Sequence, residues 1–290
     1  MNEVVNQITD FLREEADKGK YKKFVVGLSG GIDSAVTALL ANRAIKPISV
    51  RSREIGLDVI TLNYKNFRKA DLNDAKEFAK EFGMNHQVFD INRTLRSFSN
   101  SLPGLLEDPS SDLYLGLFTR ICTAVINTYA DKVGGVVVSP TNRTELETSF
   151  YNSGGHVGKL FPLAGLYKTE VKELAKYLGV PKRILEKAPS DGVSKRKTDE
   201  EILGLPYQDV DRILYRLGRS EKPEDISKIL NQPIEKVLEL ERRRTDGQEK
   251  LRFPLCDIRL GDRYSRLSST SKEEPNAPNY EIKKKFYYGG

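Results

Sequence analysis

Phe24-Val25-Val26-Gly27-Leu28-Ser29-Gly30-Gly31-Ile32-Asp33-Ser34-Ala35-Val36-Thr37-Ala38-Leu39-Leu40 reads as a buried strand, a glycine-rich turn and the start of a helix. A turn of this kind at a helix N-terminus gathers backbone N–H groups around a space that suits a phosphate. Serine hydroxyls, Ser29 and Ser34, stand at its two ends. No Gly-Lys-Ser/Thr follows, so the lysine grip on β- and γ-phosphates used by the common nucleotide loop is missing. Gly27-Leu28-Ser29-Gly30 also fails the G-x-G-x-x-G pattern of dinucleotide folds.

Working outward, Leu57-Asp58-Val59-Ile60-Thr61-Leu62, Gln87-Val88-Phe89-Asp90-Ile91 and Val136-Val137-Val138 read as further strands. Helices alternate with them. One spans 71–82 with Leu72, Ala75, Phe78, Ala79 and Phe82 at helical spacing, stopped by Gly83, and a long one spans 112–132. The alternation predicts an α/β fold with a doubly wound, mostly parallel sheet flanked by helices, and ligands beyond the carboxyl ends of the strands. There the Ser29 turn and Ser139-Pro140-Thr141-Asn142 would meet. At the N-terminus, Val4, Val5, Ile8, Phe11 and Leu12 fall on one helical face, which predicts a helix packed on the core.

A helix over 169–178 opens at Thr169-Glu170 and closes at Gly179 and Pro181. Two helices fill 224–244, broken at Gln232-Pro233; they superficially resemble a helix-turn-helix, a pattern more often produced by two packed helices. Residues 1–217 are expected to form the main domain, 218–267 a helical extension and 268–290, polar and rich in Ser, Pro, Asn and Lys, a flexible tail.

With 290 residues the chain can bury a sizeable core. Two cysteines and two histidines give little material for disulfides, cysteine catalysis or a zinc site. The 47 basic and 41 acidic residues, net +6, suit a protein that handles polyanionic nucleotides, though a highly charged surface gives the same balance. No long apolar run or leader is evident, so a cytoplasmic protein is expected, without membrane association.

Ser29-Gly30-Gly31-Ile32-Asp33-Ser34 resembles the pyrophosphate loop of the ATP pyrophosphatases, which split ATP into AMP and pyrophosphate. Within them the chain is most similar to the ammonia-dependent NAD synthetase family, from the first helix to about residue 217. Phe161-Pro162-Leu163-Ala164-Gly165-Leu166-Tyr167-Lys168 resembles one late segment of that family. Pro189-Ser190, Thr198-Asp199-Glu200-Glu201-Ile202-Leu203-Gly204, Tyr207 and Val210-Asp211 resemble another.

The resemblance implies roles residue by residue. Ser29, Gly30, Gly31, Asp33 and Ser34 would hold pyrophosphate. Asp33 and Glu145 would ligate Mg2+. Lys168 and Ser190 would reach the phosphates, with Asp33 and Lys168 as the catalytic pair. Arg120 matches the arginine before the family's long helix that helps bind the nucleotide substrate. It further implies ATP, deamido-NAD and ammonia as substrates, an adenylated intermediate, a C–N ligase activity in NAD biosynthesis, and a homodimer. Attack of a carboxylate on the α-phosphate needs charge neutralisation more than a nucleophilic side chain, which suits this set.

Cys122, Asn127, Ser139-Pro140 and Tyr151-Asn152-Ser153-Gly154-Gly155-His156-Val157-Gly158-Lys159 depart from the family pattern, around the substrate that is not ATP. They leave open an alternative, a diverged ATP pyrophosphatase adenylating another carboxylate or a tRNA base. A non-catalytic nucleotide- or nucleic-acid-binding protein using Arg242-Arg243-Arg244 is a further reading, against which the retained Asp33, Glu145 and Lys168 speak. The Asp199-Glu200 pair suits a helix start equally well, because acids favour the first turn, and is left out of the catalytic set.

Overall fold

The computed structural model describes residues 1–45, 54–64, 68–103, 111–149, 158–187 and 198–251. Ser190, His156 and the proposed tail from 268 lie outside them. Four parallel strands, β1 (Lys23–Gly27), β2 (Gly56–Asn63), β3 (Asn85–Asp90) and β4 (Gly135–Val138), form a sheet in the order β3-β2-β1-β4. The chain moves from β1 outward to β3, then returns to place β4 on the other side of β1. The carboxyl ends of β1 and β4 therefore flank the switch point where an open α/β sheet binds ligands.

The pleat divides the core. Phe24, Val26, Leu57, Val59, Val136 and Val138 face one layer, built from α1 (Asn2–Lys18), α2 (Ile32–Ala44), α3 (Lys69–Glu81) and α7 (Lys168–Leu178). Val25, Ile60 and Val137 face Ile126 and Ala130 of α5 (Asp112–Val133) on the other side. Apolar residues on both faces explain why these strands read as continuous hydrophobic runs.

Two sequence expectations need correction. On α1, Val5 and Leu12 are buried, but Phe11 is 39% exposed, because the buried stripe is the narrow Val5-Thr9-Leu12-Ala16 line. β3 begins two residues earlier than expected and ends at Asp90. The Ser139–Asn142 turn leads into a short helix, α6 (Arg143–Glu147). Sequence periodicity also gave no sign of α4 (Asn92–Ser101), whose Leu95 packs with Tyr64, Ile91 and Ile121.

Four more short helices follow α7: α8 (Lys182–Leu185), α9 (Asp199–Leu203), α10 (Tyr207–Gly218) and α11 (Pro223–Leu230), then the longer α12 (Ile234–Leu251). Leu203, Val210, Ile213, Leu214, Ile226, Val237 and Leu240 share one core, so α11 and α12 pack on α10. Arg243 pairs with Glu239, and Arg244 lies 3.5 Å from the buried Glu147 of α6. Two arginines of the basic triplet are thus engaged within the fold. Among the described residues no helix is long and apolar enough to cross a membrane.

Candidate active site

The glycine-rich loop 29–34 leaves β1 and enters α2 with no side-chain cap at Gly31. Its hydroxyls brace it: Ser34 Oγ accepts from the Ser29 N–H at 3.2 Å and donates to the Gly31 carbonyl at 2.9 Å. The Gly31 N–H donates to Ser29 Oγ at 3.3 Å. Gly30 has φ +79°, a left-handed conformation that favours glycine, and lies against the backbone of Asp71. Lys187 ties the two segments, donating to the Gly30 carbonyl at 3.0 Å and to Asp71 at 2.7 Å, and it pairs with Asp74 at 2.5 Å.

Asp33, in the first turn of α2, points toward β4. Its Oδ1 accepts from Asn142 Nδ2 at 2.9 Å and its Oδ2 from Lys168 Nζ at 2.5 Å. Asn142 also caps α6. Its side chain accepts from the Glu145 N–H at 3.0 Å, and Glu145 Oε2 accepts from the Asn142 N–H at 3.2 Å. Such a reciprocal cap orients the Glu145 carboxylate. Its Oε1 comes 3.9 Å from Lys168 Nζ. Lys168 is 3% exposed and stands at the first position of α7, with Tyr207 of α10 beneath it, 5.5 Å from ring centroid to ammonium.

Electrostatics follow from two carboxylates against one ammonium. Burial, then the Asp33 charge, push the Glu145 carboxyl up to about 8, while Lys168 holds it back. Burial works to lower the Lys168 ammonium, but Asp33 and Glu145 outweigh it and hold it above the usual lysine value. The raised Glu145 carboxyl reflects the cost of ionising a second buried carboxyl beside Asp33, a cost that a divalent cation would offset, and magnesium is bound through one or two carboxylates plus phosphate oxygens. Asp33 and Glu145 fit that donor set.

The structure thus brings together Ser29, Gly30, Gly31, Asp33, Ser34, Glu145 and Lys168, separated by up to 139 positions in the chain, at the ends of β1 and β4. Arg120 lies within α5, not before it, at an exposed position. Its neighbour Ile121 packs with Tyr64 and Ile91, which follow β2 and β3, so Arg120 stands at the same end of the sheet. Ser190 is outside the described residues. Asp199 and Glu200 do start a helix, capped by Thr198. Asp199 also accepts from the Tyr207 hydroxyl at 2.9 Å and Glu200 from the Tyr207 N–H at 3.0 Å.

Asn142, Thr144, Lys187 and Asp211 were not singled out as site residues by sequence. The N-x-x-E spacing of Asn142 and Glu145 was a readable signal for the first. Among the departures, the Ser139 hydroxyl bonds Thr141 at 2.9 Å, and Asn127 donates back to the Thr123 carbonyl at 2.8 Å. Lys159 turns to the Tyr21 hydroxyl at 2.7 Å, below the start of β1. Burial pushes the Cys122 thiol up to about 12, so it is no nucleophile at neutral pH.

The family model described as NAD synthase matches residues 4–254. A curated NH(3)-dependent NAD(+) synthetase of Methanocaldococcus jannaschii is 36% identical over 240 residues, 82% of this chain and 89% of that relative. A solved structure described as NMN synthetase from Francisella tularensis is 25% identical with a TM-score of 0.70, covering 88% of this chain and 97% of its own. The NH3-dependent NAD synthetase from Campylobacter jejuni, 22% identical with a TM-score of 0.70 over 88% of this chain and 98% of its own, shares the fold.

Proposed function

The chain belongs to the NAD synthase family, and from that premise we propose that it converts deamido-NAD to NAD with ATP and ammonia. The nicotinate carboxylate attacks the α-phosphorus of ATP, the α–β P–O bond breaks, and pyrophosphate leaves. Ammonia then adds to the acyl carbon of the adenylate, the bond to AMP breaks, and a proton is released. The enzyme is a ligase forming a C–N bond.

The observation that carries this reading is the meeting of Lys168, Asp33 and Glu145 beside the Ser29 loop. Backbone N–H groups and the start of α2 would receive the departing pyrophosphate, where charge accumulates. The Lys168 ammonium, kept charged by its neighbours, would neutralise phosphate oxygens, with Ser190 as a further hydroxyl and Arg120 on the nucleotide. Asp33 and Glu145 would hold Mg2+, which supplies charge neutralisation at the phosphates when bound. Similarity to named NH(3)-dependent relatives favours ammonia as the nitrogen donor and deamido-NAD over another carboxylate or a tRNA base. The resemblance also supports a homodimer acting in the cytoplasm.

A coupled assay with Mg-ATP and ammonium, with and without deamido-NAD, tests the reading by following pyrophosphate and NAD. NAD formed in step with pyrophosphate is expected. Pyrophosphate release that ignores deamido-NAD would overturn it.

A further inference from the structure

Asp211, on α10, is 5% exposed and touches neither the loop nor Asp33. Its Oδ1 accepts from the Thr144 hydroxyl at 2.6 Å and its Oδ2 from the Thr169 N–H at 2.8 Å. Thr144 Oγ1 in turn accepts from the Lys168 N–H at 2.9 Å. Thr144 precedes Glu145 in α6, and Lys168 and Thr169 are the first two residues of α7. One buried chain of hydrogen bonds therefore joins the first turns of the two helices that carry Glu145 and Lys168. Tyr167, the residue before α7, supplies no side-chain cap, so these donors are satisfied from α6 and α10.

A packing role does not account for a carboxylate here. Val210, Ile213 and Leu214 already bury α10 in its apolar core. An aliphatic side chain at 211 would dock the helix without removing a charged group from water. What the carboxylate adds is two acceptors aimed at donors on two different helices, and a negative charge at the positive end of α7. A five-residue helix such as α6 has little stability of its own, so its angle is set by what holds it.

We infer that Asp211 is a positioning residue for ATP cleavage, holding Glu145 and Lys168 at their working separation through Thr144 and the start of α7. The inference rests on the reading that these two side chains act on the ATP phosphates. It is tested in the full-length enzyme with Asp211→Asn, Thr144→Val and the double variant, each checked for a cooperative melt. Asn loses the charge and cannot accept at both oxygens. Thr144→Val breaks the same link from its other end, which keeps the test open should Asp211→Asn not fold.

The expected result is a loss of kcat of tenfold or more in each single variant, with KM for deamido-NAD within about twofold. The double variant is expected to be no worse than Asp211→Asn, since both break one chain. A lowered melting temperature with kcat within twofold of the parent, or single losses that multiply in the double, would overturn the inference. A parent protein that makes no NAD refutes the reaction instead. The same variants are then compared by calorimetric binding of Mg-ATP, where a weakening of fivefold or more in each single and no further loss in the double is expected, and equal affinities overturn the assignment.

Discussion

Replacing Gly30 by alanine tests whether the loop 29–34 is held by backbone contact. Gly30 sits at φ +79°, where an L-residue is strained by about 1–2 kcal/mol. A Cβ there would stand 2.5 Å from the Asp71 carbonyl oxygen and 3.1 Å from its carbonyl carbon, all backbone. Ordinary contact needs about 3.5 Å, so the loop and α3 must separate by roughly 1 Å, an overpacking cost of about 1–3 kcal/mol. Together these give a destabilisation of about 3 kcal/mol, a fall of roughly 6–12 °C in Tm for a chain of this size. The separation would also stretch the Lys187 bond to the Gly30 carbonyl, and displacing the loop by this distance is expected to slow pyrophosphate release about 100-fold. Gly31→Ala is the control: its φ is −95° and its Cβ would meet only the Ser29 hydroxyl at 3.3 Å, so its melting loss should stay within about 1 kcal/mol. Scanning calorimetry and a pyrophosphate assay read both effects. A Gly30→Ala protein that melts with the parent and releases pyrophosphate at the parental rate would refute the reasoning.

Asp33→Asn should lower pyrophosphate release by about 10²–10³-fold while the far-ultraviolet dichroism stays unchanged, and undiminished release would remove Asp33 from the phosphate chemistry. Asp58 is held below the usual carboxylate range: burial opposes its charge, but hydrogen bonds from Lys23, Asn85 and Tyr129 prevail. A carboxyl depressed in the folded state adds stability above the unfolded value of about 3.9 and loses it as pH falls through the folded value. Asp58→Asn should therefore cost about 1–3 kcal/mol at pH 7 and flatten the decline of urea midpoints on acidification; parallel curves for both proteins would exclude this role. Gly247→Ala pits propensity against packing. Alanine is favoured in a helix interior by about 1 kcal/mol, yet its Cβ would lie 2.5 Å from the Leu146 carbonyl oxygen of α6, so a net loss of about 1–2 kcal/mol is expected and a higher Tm would contradict the close docking.

The strands were legible because both faces of the sheet are covered. Val25-Val26, Val59-Ile60 and Val136-Val137-Val138 are apolar without interruption, and β-branched runs bounded by glycine leave few alternatives. The apolar spacing of α1 marks a helix but overstates its buried face. Its contact with α2 is narrow and partly polar: Arg13 donates to the carbonyls of Arg43 and Ala44 at the end of α2, leaving Phe11 outside. At the candidate site, the loop beside it signals Asp33, while only the family resemblance points to Glu145 and Lys168, which the structure brings next to it. Their support was hidden for a physical reason: Thr144 and Asp211 are 67 positions apart, and hydrogen bonds between distant side chains leave no periodicity. Asn142 is the exception, since a cap and its partner three residues later form a local pattern.

The docking of α10 and α12 on α6 bears on how the protein is made. A nascent chain released as far as Leu178 already contains the whole sheet, the Ser29 loop, Asp33, Glu145 and Lys168. It lacks Asp211, Arg244 and Gly247, the groups that hold α6 and the start of α7 from outside. Met1–Arg252 is one compact unit, so a chain stopped at Leu178 would keep the loop, Asp33, Glu145 and Lys168 but leave the outer support of α6 and the start of α7 unmade.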